Sequence, residues 1–189
     1  HDEVDLSLEL GNTDSVRNEG VISVASKLSK YHNKPKFDIE ILPSNIILND
    51  SAWTIGQSTI TYALADHVMD IDNFSLSTDY QLITADGTAS KSATDSIDVV
   101  LNNINLDYLL SYTEASKAIS VMGPVTGKAK VYSVFSEPML EAQAYIPNGG
   151  LNGVYLGDVT AEATLDRENN SILLYGQIVD STQHMVAEV

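Results

Sequence analysis

The chain has 189 residues and a formal net charge of -16, from 26 acidic and 10 basic residues, and it contains no cysteine. So acidic a surface repels nucleic acid, which excludes DNA and RNA as partners. The lack of thiols excludes disulfides, cysteine nucleophiles and cysteine-ligated metal sites. A hydrophobic fraction of 43% is typical of a folded protein rather than a disordered one.

Apolar and polar residues alternate along the first half of the chain, which predicts β-strands with one apolar and one polar face. Residues 4–10 show the pattern clearly, since Val4, Leu6, Leu8 and Leu10 are apolar and every intervening residue is polar. Strands with one wetted face favour antiparallel pairing. The predicted strands in this half are 4–10, 20–28, 36–41, 46–48, 53–57, 58–62, 67–71, 74–77, 80–85 and 97–101.

The second half continues the alternation after one interruption. Residues 106–112 place apolar residues at helical spacing, which predicts a short helix. The following strands are predicted at 128–135, 140–146, 159–165 and 171–178. Turn-forming residues at 43–45, 85–87, 147–150 and 166–170 are predicted to separate strands, and the last group predicts a hairpin. We therefore predict an all-β fold with a mainly antiparallel sheet.

The chain organisation predicts a single β domain over residues 1–189. No linker or low-complexity stretch divides the sequence. The chain begins at His1 without Met and ends at Val189 in mid-pattern, so we interpret it as a fragment of a larger chain.

Residue patterns typical of catalysis or metal binding are weak. The four histidines, His1, His32, His67 and His184, have no metal-ligand spacing. A calcium loop that begins at Asp70 is rejected, because Ser75 and Gln81 stand where an EF-hand needs Gly and Glu. A looser oxygen-ligand site stays open, with these candidates: Asp70, Asp72, Asp95 or Asp98. We predict no catalytic residue, no bound metal and no cofactor, and we place Trp53 in the core rather than on a sugar-binding surface.

From Ser44 onward the order of elements resembles a known family. The segments are 46–55, 71–76, 82–90, 95–106, 121–129 and 138–142, and an Asn-x-Asn-Leu phrase at 103–106 precedes the predicted helix. Over about 44–178 the chain resembles the TamB/AsmA-like envelope proteins, in particular the translocation and assembly module TamB of Bacteroidetes type and its C-terminal region. First-stage similarity is less clear over residues 1–40.

The resemblance implies a long, curved sheet, folded like a taco, with an apolar concave face. It also implies a full-length protein that is anchored in the inner membrane and spans the periplasm of a Gram-negative bacterium. Its expected partners are an Omp85-class barrel in the outer membrane and phospholipid acyl chains. The expected role is a non-catalytic scaffold or lipid conduit in outer-membrane biogenesis and inter-membrane phospholipid transport.

The alternating residues supply candidates for a lipid groove. The apolar face must be covered either by the protein's own side chains or by a ligand. Small side chains on this face would leave room for acyl chains. The predicted lining consists of Phe37, Ile39, Ile41, Leu140, Ala142, Ala144, Ile146, Val159, Ala161, Ala163, Leu165, Ile172, Leu174 and Ile178.

Two other functions fit the sequence less well. A β-sandwich interaction module, such as an adhesin or glycan-binding domain of a bacterial surface protein, would show exposed tyrosines or Trp53 on a polar surface. A hydrolase on an acidic β-scaffold would show clustered carboxylates in a cleft. The third possibility ranks well behind the other two.

Overall fold

The computed structural model describes residues 3–11, 16–107, 120–166, 171–179 and 185–188. These residues are almost entirely β-strand, and every strand pair whose register is resolved is antiparallel. The prediction of an all-β fold with an antiparallel sheet is therefore confirmed. The predicted helix at 106–112 is described only at Leu106 and Asp107, which have helical backbone geometry, and its other residues lie outside the described ranges.

The chain divides into two compact units, His1–Val99 with Val131–Pro138, and Val100–Lys130 with Met139–Val189. The strands of the first unit are β1 (Glu3–Gly11), β2 (Glu19–Tyr31), β3 (Lys34–Ile41), β4 (Ser44–Leu48), β5 (Ser51–Ile55), β6 (Ser58–Ala63), β7 (Val68–Ser77) and β8 (Leu82–Ala89). Two strands contribute residues to both units, β9 (Ser96–Asn105) and β11 (Pro124–Tyr132). The second unit adds β10 (Val121–Met122), β12 (Met139–Leu151), β13 (Val154–Asp166), β14 (Ser171–Val179) and β15 (Met185–Glu188). The single-domain prediction stays a prediction.

The first unit is a meander of hairpins in which two long strands bend at the same level. Ile41 of β3 lies opposite Ser58 of β6, and Ser44 of β4 lies opposite Ile55 of β5, so the register is the same on both sides of the bend. The segments β3–β4 and β5–β6 therefore act as two bent strands that face each other. Pro43 has no N–H to give to a ladder, which explains the interruption between β3 and β4.

The core of the first unit lies at this bend. Ile46, Trp53 and Ile55 are only 3 to 5% exposed. Ile46 pairs with Trp53 across β4 and β5, and paired residues project from the same face of a sheet. Bending the sheet towards this face encloses the large side chains, so Trp53 is a core residue, as predicted.

Three asparagines break the ladders in the same way. Asn73, Asn103 and Asn148 have positive φ of 59°, 58° and 50°. Each backbone N–H donates to a side chain of the neighbouring strand, to Asp86 Oδ2 at 2.9 Å, Thr126 Oγ1 at 3.0 Å and Asp158 Oδ1 at 2.9 Å. A left-handed residue turns its N–H out of the ladder, and these acceptors keep that group satisfied.

Each acceptor has a glycine next to it in sequence: Gly87, Gly127 or Gly157. A Cβ at Gly87 would collide with the carbonyl oxygen of Ser96, and one at Gly127 would collide with that of Gln143. The glycines thus allow the next strand to approach closely. The device occurs once in the first unit and twice in the second.

Two groups of residues that were predicted to be turns lie inside strands instead. Asp86 and Gly87 belong to β8, and residues 147–150 belong to β12, so these two turn predictions are wrong. The residue types that form turns also form bulges, which explains the error. The observed turns have positive φ at both central residues, the geometry of type I′ hairpins, at His32–Asn33, Asn49–Asp50 and Asn152–Gly153.

The close approach at Gly127 generates a prediction. Gly127→Ala should lower the free energy of unfolding by about 1–3 kcal/mol, because the new Cβ overlaps the backbone of β12. Gly176→Ala is the matched control, since its Cβ would meet nothing closer than Thr160 O at 3.7 Å. It should raise stability by about 0.5 kcal/mol, as an alanine in a strand interior does. Urea unfolding of the two variants measures both, and equal stabilities would contradict the described approach of β11 to β12.

Candidate functional site

The predicted lining residues of the second unit fall in register across three strands. Ala142 of β12 lies opposite Ala163 of β13, which lies opposite Leu174 of β14. Paired residues share a face, so these positions form one surface, here called the β12–β14 apolar face. The other register rows are Ala144–Ala161–Gly176, Ile146–Val159–Ile178 and Leu165–Ile172, and Leu140 precedes the first row on β12.

Side chains on this face are neither core nor freely exposed. The nine predicted residues of this unit whose burial is described are all half-buried: Leu140, Ala142, Ala144, Ile146, Val159, Ala161, Ala163, Leu165 and Ile178. The buried apolar residues of the same unit are Ile104 and Val125, on β9 and β11. The face therefore retains apolar surface that contact with a ligand could remove from water. Ile172 and Leu174 hold the expected register positions on β14.

The middle of the face is shallow. Its two central rows contain Ala142, Ala144, Ala161, Ala163 and Gly176, whereas the rows at the ends contain branched residues. Six residues of strand and two strand spacings give a surface of about 20 Å by about 10 Å. One leaflet of a bilayer core is about 15 Å thick, so an extended acyl chain matches the long dimension.

Sequence reasoning missed Gly176 as part of this face. It pairs with Ala161 and its backbone is half-buried. The alternation of β14 contained the signal, because Gly176 takes the position between Leu174 and Ile178 where an apolar residue would be expected.

The other three predicted lining residues lie in the first unit. Phe37, Ile39 and Ile41 pair with Leu28, Ser26 and Val24 on β2 and with Tyr62, Ile60 and Ser58 on β6. Phe37 is 38% exposed, while Ile39 and Ile41 are half-buried. The predicted lining thus forms two groups, one in each unit, and β3 belongs to the surface that leads into the Trp53 core.

The opposite face of the second unit is polar and carries aromatic rings. The rows Gln143–Glu162–Tyr175 and Tyr145–Thr160–Gln177 lie between the apolar rows in sequence and project the other way. Tyr175 is 59% exposed. Tyr145 donates to Asp158 Oδ2 at 3.2 Å. Local desolvation and this hydrogen bond to a carboxylate raise the pKa of Tyr145.

The polar face of the first unit contains the candidates for the oxygen-ligand site. Asp70 accepts hydrogen bonds from Thr61 at 3.4 Å and Thr88 at 2.6 Å, and Asp95 accepts one from Ser90 at 2.7 Å. Over the described ranges no three His, Asp or Glu side chains converge as metal ligands would. The four candidate aspartates therefore serve here as acceptors for neighbouring groups of the protein.

Comparisons with protein-family models, curated proteins and solved structures find no match to this chain. In the part of the chain that the structure describes, no helix has both the length and the apolar character needed to span a membrane.

Asp38 supplies a pH-dependent interaction on the polar face of β3. Lys36 Nζ lies 2.6 Å from Asp38 Oδ1. Partial burial alone would raise the pKa of Asp38, but hydrogen bonds from Lys36 and Ser29 and the charges of Lys36 and Lys27 outweigh it and hold that pKa below its usual value. The folded state therefore prefers the ionised carboxylate.

This lowered pKa predicts a loss of stability in acid. The contribution of Asp38 is present above the unfolded-state pKa of about 3.9 and disappears as pH falls through the lower folded-state value. At pH 7 Asp38→Asn should cost about 0.5 kcal/mol, the usual worth of a partly exposed ion pair. Urea unfolding of both proteins from neutral pH to about pH 2 checks the trend. A difference that stays constant as the pH falls would contradict the ionic origin.

Proposed function

We propose that this chain is a non-catalytic segment of an envelope protein that binds phospholipid acyl chains along the β12–β14 apolar face. The observation that carries the proposal is the register, which brings Ala142, Ala144, Ala161 and Ala163 together as half-buried small residues between branched ones. A self-filled core would bury such residues under larger partners. A surface for a long, flexible and chemically uniform ligand needs a shallow apolar track with no specific polar contacts.

The energetics suit reversible contact. Each methylene that leaves water gains about 0.8 kcal/mol, so about eight methylenes covering the face would gain roughly 6 kcal/mol before entropic costs. Such binding is strong enough to hold a chain and weak enough to release it. Transfer by apolar burial requires no bond chemistry, which agrees with a role as scaffold or conduit rather than enzyme.

The wider setting is proposed from the sequence resemblance to TamB/AsmA-like proteins alone. It places the full-length protein in the periplasm with an inner-membrane anchor and an Omp85-class barrel as its outer-membrane partner. In that setting the apolar face would serve phospholipid movement between the membranes and outer-membrane biogenesis. The net charge of -16 would keep anionic headgroups away from the polar face while acyl chains occupy the other one.

Lipid capture tests the proposal with a matched pair of variants. Ala163→Asp places a charge in the middle of the apolar face, while Thr164→Asp places the same charge on the exposed polar face one residue later. A buried carboxylate without a partner repels an acyl chain, so Ala163→Asp should lose at least tenfold of the bound phospholipid, and Thr164→Asp should keep it. Native mass spectrometry of the protein purified from cells measures the bound fraction.

Absence of phospholipid from the unmodified protein would refute the proposal, as would equal loss in the two variants. Circular dichroism of both variants controls for unfolding. A variant that unfolds is replaced by Ala161→Asn, which adds a neutral polar group to the same face and should lower lipid occupancy in the same direction.

A glycan-binding interaction module is the second candidate, because exposed tyrosines do lie on the polar face. Tyr145, Tyr155 and Tyr175 are 43%, 59% and 59% exposed. Trp53, the stronger stacking platform, is buried and cannot contribute. Saccharide binding that Tyr175→Ala abolishes and Ala163→Asp leaves unchanged would favour this candidate over lipid contact.

A further inference from the structure

Strand β1 has an edge that no other described strand occupies. All nine of its residues pair with β2 in one unbroken register, from Glu3 opposite Lys27 to Gly11 opposite Glu19. Among the described residues β2 is the only strand that pairs with β1. The backbone N–H and C=O groups on the far side of β1 are therefore arranged as a template for one more strand.

β1 lacks the features that normally prevent pairing at an edge. It has no proline, no lysine or arginine and no bulge over nine residues. Natural edge strands are usually protected by at least one of these devices. Val4, Leu6 and Leu8 are also 54%, 52% and 56% exposed on one face, so added side chains would find apolar neighbours there.

The charges of β1 define what kind of strand fits. Its polar positions include Asp5 and Glu9, both exposed. Throughout the ladders whose register is described, no acidic residue lies directly opposite another one. Acidic residues instead face partners such as Lys27, Thr61 or Thr164. Like charges directly opposite each other destabilise a strand pair.

This pattern disfavours a second copy of the chain as the occupant. An antiparallel β1–β1 pair that overlaps all nine residues is centred on Ser7, and it would set Asp5 opposite Glu9 on both sides of the centre. With a net charge of -16 on each copy, longer-range repulsion would add to this local conflict. A basic strand meets neither obstacle.

We infer that the free edge of β1 is a docking site for an extended polypeptide segment of another protein, added as an antiparallel strand. That segment carries apolar residues at alternate positions and two basic residues four positions apart, which lie opposite Asp5 and Glu9. Main-chain hydrogen bonds provide the binding, and the charge pairs provide the selectivity.

Synthetic peptides test the inference directly. The first peptide has nine residues in which valine alternates with polar residues, with two lysines four positions apart and threonine at the remaining polar positions. The second peptide has glutamates in place of the lysines. The third keeps the lysines but has methylated backbone nitrogens at alternate residues, on the edge that would face β1. Fluorescence anisotropy measures binding of each labelled peptide to the protein.

The lysine peptide should bind at least tenfold more tightly than the glutamate peptide, because two attractive pairs replace two repulsive ones. The methylated peptide should lose binding, since it retains the side chains but cannot complete the ladder. Equal affinities for the lysine and glutamate peptides, or full binding of the methylated one, would overturn the inference.

Charge-reversal variants locate the site. Asp5→Lys/Glu9→Lys should reverse the preference towards the glutamate peptide. Glu141→Lys/Glu162→Lys changes the net charge equally on the polar face of β12 and β13 and should leave the preference as it was. The same reversal in both double variants would mean non-specific attraction and would overturn the assignment to β1.

Two further controls complete the design. If Asp5→Lys/Glu9→Lys does not fold by circular dichroism, Asp5→Asn/Glu9→Gln replaces it and should bring the two affinities within about threefold. Sedimentation velocity of the unmodified protein should show a monomer. A dimer that the β1 variant abolishes would identify a second copy as the occupant and would also overturn the inference.

Discussion

The constraint on which this molecule depends is the register of its antiparallel strands. Side chains alternate between the two faces of a strand, so a shift of one residue would move a whole apolar set into water. The hairpins from β2 to β8 and from β12 to β14 keep apolar residues opposite apolar residues in row after row. One face is therefore apolar and the other polar, and the core and the candidate lipid surface both follow from that separation.

The same pattern produces two different environments because side-chain size differs between the two units. At the bend of the first unit, Ile46, Trp53 and Ile55 are large enough to fill the space that the bent sheet encloses, and they are buried. On β12 and β13, alanines occupy the corresponding alternate positions and stay half-buried. A surface of small residues cannot fill a core by itself. That difference in volume separates a structural interior from a surface that can accept a ligand.

Alternation in the sequence was enough to predict the fold class, the position of most strands and the hairpin of β13 and β14. It did not distinguish bulges from turns. Asp86 and Gly87 have the composition of a turn, yet they lie within β8, because Asp86 accepts a hydrogen bond from Asn73 in the next strand and that partner is distant in sequence. The turn at His32–Asn33 has no glycine to mark it, so its positive φ values were invisible to composition.

The candidate site was predictable as a set of faces and not as a set of contacts. Alternation identified the residues of β12, β13 and β14 correctly as sharing one side, but only the register places Ala142 beside Ala163 and adds Gly176 to the same surface. It also grouped Phe37, Ile39 and Ile41 with residues that belong to a different unit. Pairing between strands depends on contacts distant in sequence, which periodicity along a single strand does not contain.

Single-cysteine labelling along β13 tests the separation of the two faces most directly, because the chain has no cysteine of its own. Cysteine is introduced at one position at a time from Val159 to Leu165, and the labelling rate with a charged, water-soluble maleimide is measured. The account predicts fast labelling at Thr160, Glu162 and Thr164 and at least severalfold slower labelling at the four alternate positions. Uniform rates, or the opposite alternation, would contradict it.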